Sequence, residues 1–177
     1  MIDTTSIKAS SSTNNNNNER EPDMSSTKKN NNVHFGAQAH IATDTQGLRR
    51  DVKITTARVH DRQAYQGLTN EHTVSTVADA AYTGKPLQEI ARGKGMIHTA
   101  VIKRKRNQNI VPIEAQVRNT RIAMPRKSVE CPCGVIKHIR GHVKTQYNGL
   151  AKLHTQWSVV ARLDDLFKAR NKLLHVT

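Results

Sequence analysis

Residues 73–79 read Thr-Val-Ser-Thr-Val-Ala-Asp, a short β-branched run that ends on an acid. A run of this kind fits a buried strand, because branched side chains pack well on a pleated surface and the length is too short for a helix. On its N-terminal side His60–Leu68 reads as a brief helix. On its C-terminal side Lys85–Arg92 reads as one or two helical turns and Met96–Ile102 as another strand. Further upstream, His34–Asp44 alternates as a strand, Gln46-Gly47 supplies a turn, and Asp51–Val59 returns as the second arm of a hairpin. Met1–Lys8 is β-rich. The order of strands and helices predicts an α/β fold: a mixed sheet flanked by helices, in one domain covering residues 1–177.

Two further segments complete the outline. Ser10–Asn32 is dominated by Ser, Thr and Asn and is expected to be a disordered loop, since such residues bury little apolar area. A helix covers parts of Glu114–Arg140, with Pro125 and Pro132 as interruptions. Leu150–Leu174 spaces Leu153, Trp157, Val160, Leu163, Phe167 and Leu174 at helical intervals, predicting a long amphipathic C-terminal helix whose stripe packs on the sheet.

Composition narrows the function. The chain has 177 residues and a formal charge of +14. Residues 1–90 hold 10 basic and 10 acidic side chains, whereas residues 91–177 hold 18 basic and 4 acidic ones, so the whole excess lies in the second half. Such a half-chain suits a polyanion, because neutralising phosphates releases counterions. No apolar run reaches the roughly 18 residues of a membrane span, and no secretory leader is readable. Two cysteines, Cys131 and Cys133, make no disulfide framework, and a cytoplasmic setting is expected. With His138 and His142 they are also a candidate zinc set, but the spacing is too tight for a finger.

The acids suggest chemistry. Asp3 and Asp79 each sit in or after a β-rich stretch, so a folded sheet could bring them side by side. Neighbouring carboxylates repel, and a divalent cation between them relieves the repulsion. Glu130, one of four acids in the basic half, is the candidate third ligand for a pair of ions about 4 Å apart.

The blocks Asp3-Thr4-Thr5, Asp79-Ala80-Ala81-Tyr82 and Val129-Glu130-Cys131-Pro132-Cys133, in this order over nearly the whole chain, resemble DDE transposases of bacterial insertion sequences, in particular the insertion sequence 5 group. The resemblance implies an RNase H-like fold. It implies Asp3, Asp79 and Glu130 as catalytic metal ligands, two Mg2+ or Mn2+ ions as cofactors, and metal-dependent cleavage and transfer of DNA strands at element ends. Double-stranded DNA, terminal inverted repeats and target alike, is the implied partner of a nucleoid-associated homodimer. Arg126 and Lys137 match two cations of the family; at 100° per residue both share the Glu130 face of a continuous helix. They are assigned to DNA phosphate, together with the basic loop Lys103, Arg104, Lys105, Arg106 and with Lys144. His60-Asp61 matches a His-Asp pair of the family after the third strand, read as a structural or supporting pair ahead of a catalytic one.

The sequence also departs from the family pattern. Met1 lies two residues before Asp3, as expected for a catalytic part without the preceding helical region, in a truncated or partial copy. Pro125, Gly134, Ala81, Gln38 and Ala123 replace family residues, and Pro125 and Gly134 weaken a helix. The alternative is a non-catalytic basic DNA-binding remnant.

Overall fold

The longest strand organises the fold. A computed structural model of the chain describes residues 1–10, 21–29, 31–102, 110–128 and 132–174. In it β3 spans Asn32–Thr43 and pairs on both sides: antiparallel with β1 (Ile2–Lys8) from Ile2↔Ala42 to Lys8↔Gly36, and antiparallel with β4 (Arg49–Thr56). Both faces of β3 are covered, so most of its buried residues are small or apolar, with His40 and Thr43 the polar ones. Ala37, Ala39 and Ile41 turn to one face, and Ala42 turns to the other. β5 (Ser75–Ala78) pairs parallel with β1 at Ile2↔Ala78, and β6 (Ile97–Ala100) pairs parallel with β5. The main sheet therefore runs β4-β3-β1-β5-β6, two antiparallel joins followed by two parallel ones. This is the expected α/β architecture, a mixed sheet of the RNase H-like kind flanked by helices.

Each face has its own core. On one, Ile2, Ala42 and Ala78 meet Ala64 and Tyr65 of α1 (Asp61–Tyr65), Leu68, and Leu87 and Ala91 of α2 (Lys85–Gly93). On the other, Ile7, Ala39, Ile41, Val52 and Ile54 meet Cys133, Ile136, Leu153, Trp157 and Ala161. α3 spans Ile113–Ser128 and α4 is the single turn Pro132–Gly134. A π-helical turn follows at Val135–Ile139, and α5 covers Leu150–Leu174.

Three expectations are corrected. The segment taken as a loop from Ser10 to Asn32 contains β2 (Ser25–Lys29), paired with β3 from Ser25↔Gly36 to Lys29↔Asn32. Backbone pairing needs no apolar side chain, and Asn31 takes φ 63°, a left-handed turn conformation that Asn tolerates. Met24, just before this strand, is buried in the α5-side core. Residues 11–20 and 30 lie outside the described residues.

For the helix expected over parts of Glu114–Arg140 with Pro125 and Pro132 as interruptions, the structure shows no break at Pro125. α3 runs on through Pro125 to Ser128, and the described chain resumes at α4, where Pro132 takes the first position that a missing N–H suits. Lys137 lies in the π-helical turn, so the 100° relation to positions 126 and 130 does not carry across.

The α5 stripe also differs. Leu153, Trp157 and Ala161 are buried, but Leu163, Phe167 and Leu174 are exposed, and the next inward position belongs to Asp164. Asp164 pairs with Arg49, which is 1% exposed at the start of β4, and with Arg140 at 2.9 Å; Asp165 accepts from Arg49 at 3.1 Å. Leu163, beside the buried Asp164, faces away from β4, and length accounts for the far end: 25 helical residues span about 37 Å and eight strand residues about 26 Å, so the last turns outrun β4.

Gly36 marks the crossing of β1, β2 and β3. Its φ is 153°, and a Cβ there would lie 2.1 Å from the Ile7 carbonyl oxygen, so only glycine fits.

Candidate active site

Strand alternation fixes where the first aspartate points. Ile7 packs on the α5 side, so Asp3 and Thr5 face that side as well, while Ile2 and Thr4 face α1 and α2. Asp3 follows Ile2, and Asp79 follows Ala78, the residue paired with Ile2 across the parallel join. The two aspartates thus occupy equivalent places on neighbouring strands, both half-buried. Local hydrogen bonds orient this neighbourhood. The Thr4 amide donates to Asp3 Oδ1 at 2.9 Å, and the Tyr82 amide donates to the Asp79 carbonyl at 2.9 Å, closing the single 3-10 turn Ala80–Tyr82.

Of the expected cations, Lys137 lies against the same strand. Its ammonium donates to the Ser6 carbonyl at 2.9 Å and to Thr5 Oγ1 at 3.4 Å. Lys144 is exposed at the far end of β1, where it bridges to Lys8 in parallel register. The Lys8 amide donates to Val143 O at 3.1 Å, and the Thr145 amide to Lys8 O at 2.8 Å. Two exposed lysines therefore share one end of the strand that carries Asp3. Lys8 was not among the sequence candidates, because it belongs to the electrically balanced half and only the fold brings it to Lys144. Position 126 lies in α3. Glu130 and the loop Lys103, Arg104, Lys105 and Arg106 lie outside the described residues.

Sequence reasoning also missed a buried polar group behind the aspartates. Tyr82 hydroxyl lies 2.6 Å from Thr4 Oγ1, His40 Nδ1 lies 3.1 Å from the same oxygen, and His40 Nε2 lies 2.9 Å from Thr55 Oγ1. His40 is fully buried, which pushes its pKa from the usual 6.5 down to about 4, with the Lys53 ammonium adding to the effect. Burial likewise raises the Tyr82 phenol far above its usual range, so it keeps its proton. Asp61 Oδ1 stands 3.8 Å from His40 Nδ1, and the neighbouring His60 Nδ1 caps α1 by accepting from the Arg62 amide at 3.3 Å. The His60-Asp61 pair thus has a structural place, with His60 at the start of a helix and Asp61 beside a buried histidine. The one sequence signal for the buried group was Tyr82 in the Asp79-Ala80-Ala81-Tyr82 block.

Aspartate carboxylates are hard oxygen donors and suit Mg2+ or Mn2+. Among the described residues no group of three or more His, Cys, Asp or Glu could hold a metal ion, and the expected third acid is not one of those residues. The zinc set finds no support here, because Cys133 is 1% exposed inside the α5-side core.

The transposase DDE domain family matches residues 1–163, which takes in all three expected acids and every strand of the sheet. The chain belongs to the transposase DDE domain family. No solved structure matches it. Membership makes transposition, a recombination of DNA, the general activity, and DNA the general substrate. DDE transposases as a family use divalent metal ions. Among the described residues no helix of this DDE domain is long and apolar enough to cross a membrane.

Proposed function

We propose that this DDE domain cleaves and transfers DNA strands at the ends of an element of the insertion sequence 5 group, with Asp3, Asp79 and Glu130 as ligands of two Mg2+ or Mn2+ ions. One observation supports the reading: Asp3 and Asp79 each directly follow a residue of the pair Ile2↔Ala78, Asp3 within β1 and Asp79 just past the end of β5. Carboxylates brought together repel, and a cation held between them relieves that repulsion. The chemistry supplied there by bound ions is activation of a water or a 3′ hydroxyl and neutralisation of the leaving oxygen during in-line displacement at phosphorus.

The chain's own part is to hold and orient. Lys137, fixed to β1 through Ser6 and Thr5, keeps a positive charge beside the aspartate strand, where the scissile phosphate brings its negative charge. Lys144, with Lys8, extends that charge along the strand, and Arg126 and the loop Lys103–Arg106 complete the phosphate contacts. The enzyme works as a homodimer assembled on paired DNA ends, in the bacterial nucleoid.

The test is strand cleavage of a duplex carrying the terminal repeat, in Mg2+ and in EDTA. Wild-type protein cleaves only with metal. Asp79→Asn lowers the cleavage rate by at least 1,000-fold (on the order of 4 kcal/mol) while binding the duplex as before. Binding without any metal-dependent cleavage by the wild type identifies a non-catalytic DNA-binding protein instead.

A further inference from the structure

The join between the two aspartate strands is thin. β1 is held to β3 by seven register pairs and β5 to β6 by four, but among the described residues β1 and β5 share only Ile2↔Ala78. Asp3 therefore belongs mechanically to the antiparallel half of the sheet and Asp79 to the parallel half. A metal pair needs their carboxylates at a fixed spacing, and a single strand pair is a weak hinge for it.

A brace crosses this join on the α2 side. The Tyr82 ring is buried between the halves, with the Tyr65 ring 6.3 Å away between centroids. Its hydroxyl reaches Thr4 Oγ1 at 2.6 Å, on the strand of Asp3. Its amide donates to the Asp79 carbonyl at 2.9 Å, and its own carbonyl accepts from His98 Nε2 on β6 at 2.9 Å. A carbonyl only accepts, so His98 carries its proton on Nε2, and its Nδ1 accepts from Tyr65 (3.0 Å) or Thr76 (2.9 Å). Thr4 in turn orients Asp3 by donating its amide to Oδ1. The path from the Asp3 carboxylate to the Asp79 backbone thus runs through Thr4 and Tyr82, three hydrogen bonds joined by the side chains of those two residues.

Neutral His40 supports the same direction of donation. With its proton on Nε2, toward Thr55 Oγ1, its Nδ1 accepts from the Thr4 hydroxyl, which leaves Thr4 Oγ1 to accept from Tyr82. The Thr4 hydroxyl then both donates and accepts, the Tyr82 hydroxyl donates to it, and the Thr55 oxygen accepts from His40.

We propose that Tyr82 is a positioning residue of the metal site, its hydroxyl on Thr4 setting the distance between the Asp3 and Asp79 carboxylates across the hinge. The proposal rests on the reading of those aspartates as metal ligands. Outer hydrogen-bond partners of ligands commonly govern metal affinity by 10–100-fold.

The experiment is Mn2+ binding to the full chain, followed by electron paramagnetic resonance of free Mn2+, for wild type, Tyr82→Phe, Thr4→Val, the double variant, Thr4→Ser and Asp79→Asn, with thermal unfolding of each. Tyr82→Phe and Thr4→Val each weaken Mn2+ binding about tenfold or more. The double variant is no worse than either single one, because both remove the same bond, and Thr4→Ser restores the wild-type value. Unchanged affinity in Tyr82→Phe, or losses that multiply in the double variant, overturns the proposal while Asp79→Asn still abolishes binding. Unchanged affinity in Asp79→Asn overturns the ligand reading itself, and the brace with it.

Discussion

His40 shows how a single buried side chain ties the pH response of stability to the aspartate strands. Its pKa is about 4 in the folded chain against 6.5 when exposed. Between those values the unfolded chain takes up a proton that the folded chain excludes, so stability falls as pH drops through this window and is fully present above about 6.5. From pH 7 to pH 5 the loss from this residue is about 2 kcal/mol. Urea unfolding at both pH values checks this: His40→Asn flattens the difference by that amount, and an unaltered difference contradicts it. At this scale the sequence was legible where chemistry is local. Asp3 and Asp79 could be named because each ends or begins a β-rich run. His40, Thr4 and Tyr82 could not be grouped, since 36 and 42 residues separate them pairwise and only the sheet register brings them together. Lys8 was hidden for the same reason.

Among the elements, α5 depends on charge at the point where its apolar stripe ends. Arg49 and Asp164 are both nearly inaccessible, and a buried ion pair that loses one partner leaves an uncompensated charge. Asp164→Ala is expected to cost about 3 kcal/mol, read as a lower urea midpoint. Replacing both partners with apolar residues, Arg49→Met with Asp164→Leu, recovers part of that loss. A double variant less stable than Asp164→Ala contradicts this account of the joint. The helical period of α5 was legible in Leu153 and Trp157, but Leu163 faces outward beside buried Asp164, and the stripe was carried on to Phe167 because spacing alone does not say where the underlying sheet stops. β2 was missed for the opposite reason: its serines, threonine and lysines carry no apolar pattern, and its pairing is entirely backbone. The π-helical turn at Val135–Ile139 was also beyond the pattern, and it changes how Lys137 meets β1.

In the whole molecule, the sheet order β4-β3-β1-β5-β6 and the match over residues 1–163 say the same thing by independent routes. Fold class and family were legible because strand order and the acid-bearing blocks are both written along the chain. The charge asymmetry pointed to DNA, yet it assigned the contacts to residues 91–177 alone, whereas the fold returns Lys8 to the same strand end as Lys144. The central claim is that Asp3, Asp79 and Glu130 converge on one metal site. Replacing the ions with Fe2+ and adding ascorbate and peroxide cuts the polypeptide wherever backbone lies close to the bound iron. The account predicts cuts flanking residues 79 and 130, suppressed by excess Mg2+ and absent in Asp3→Asn. Cuts near residue 79 with none near residue 130, or cuts indifferent to Mg2+ and to Asp3→Asn, would contradict it.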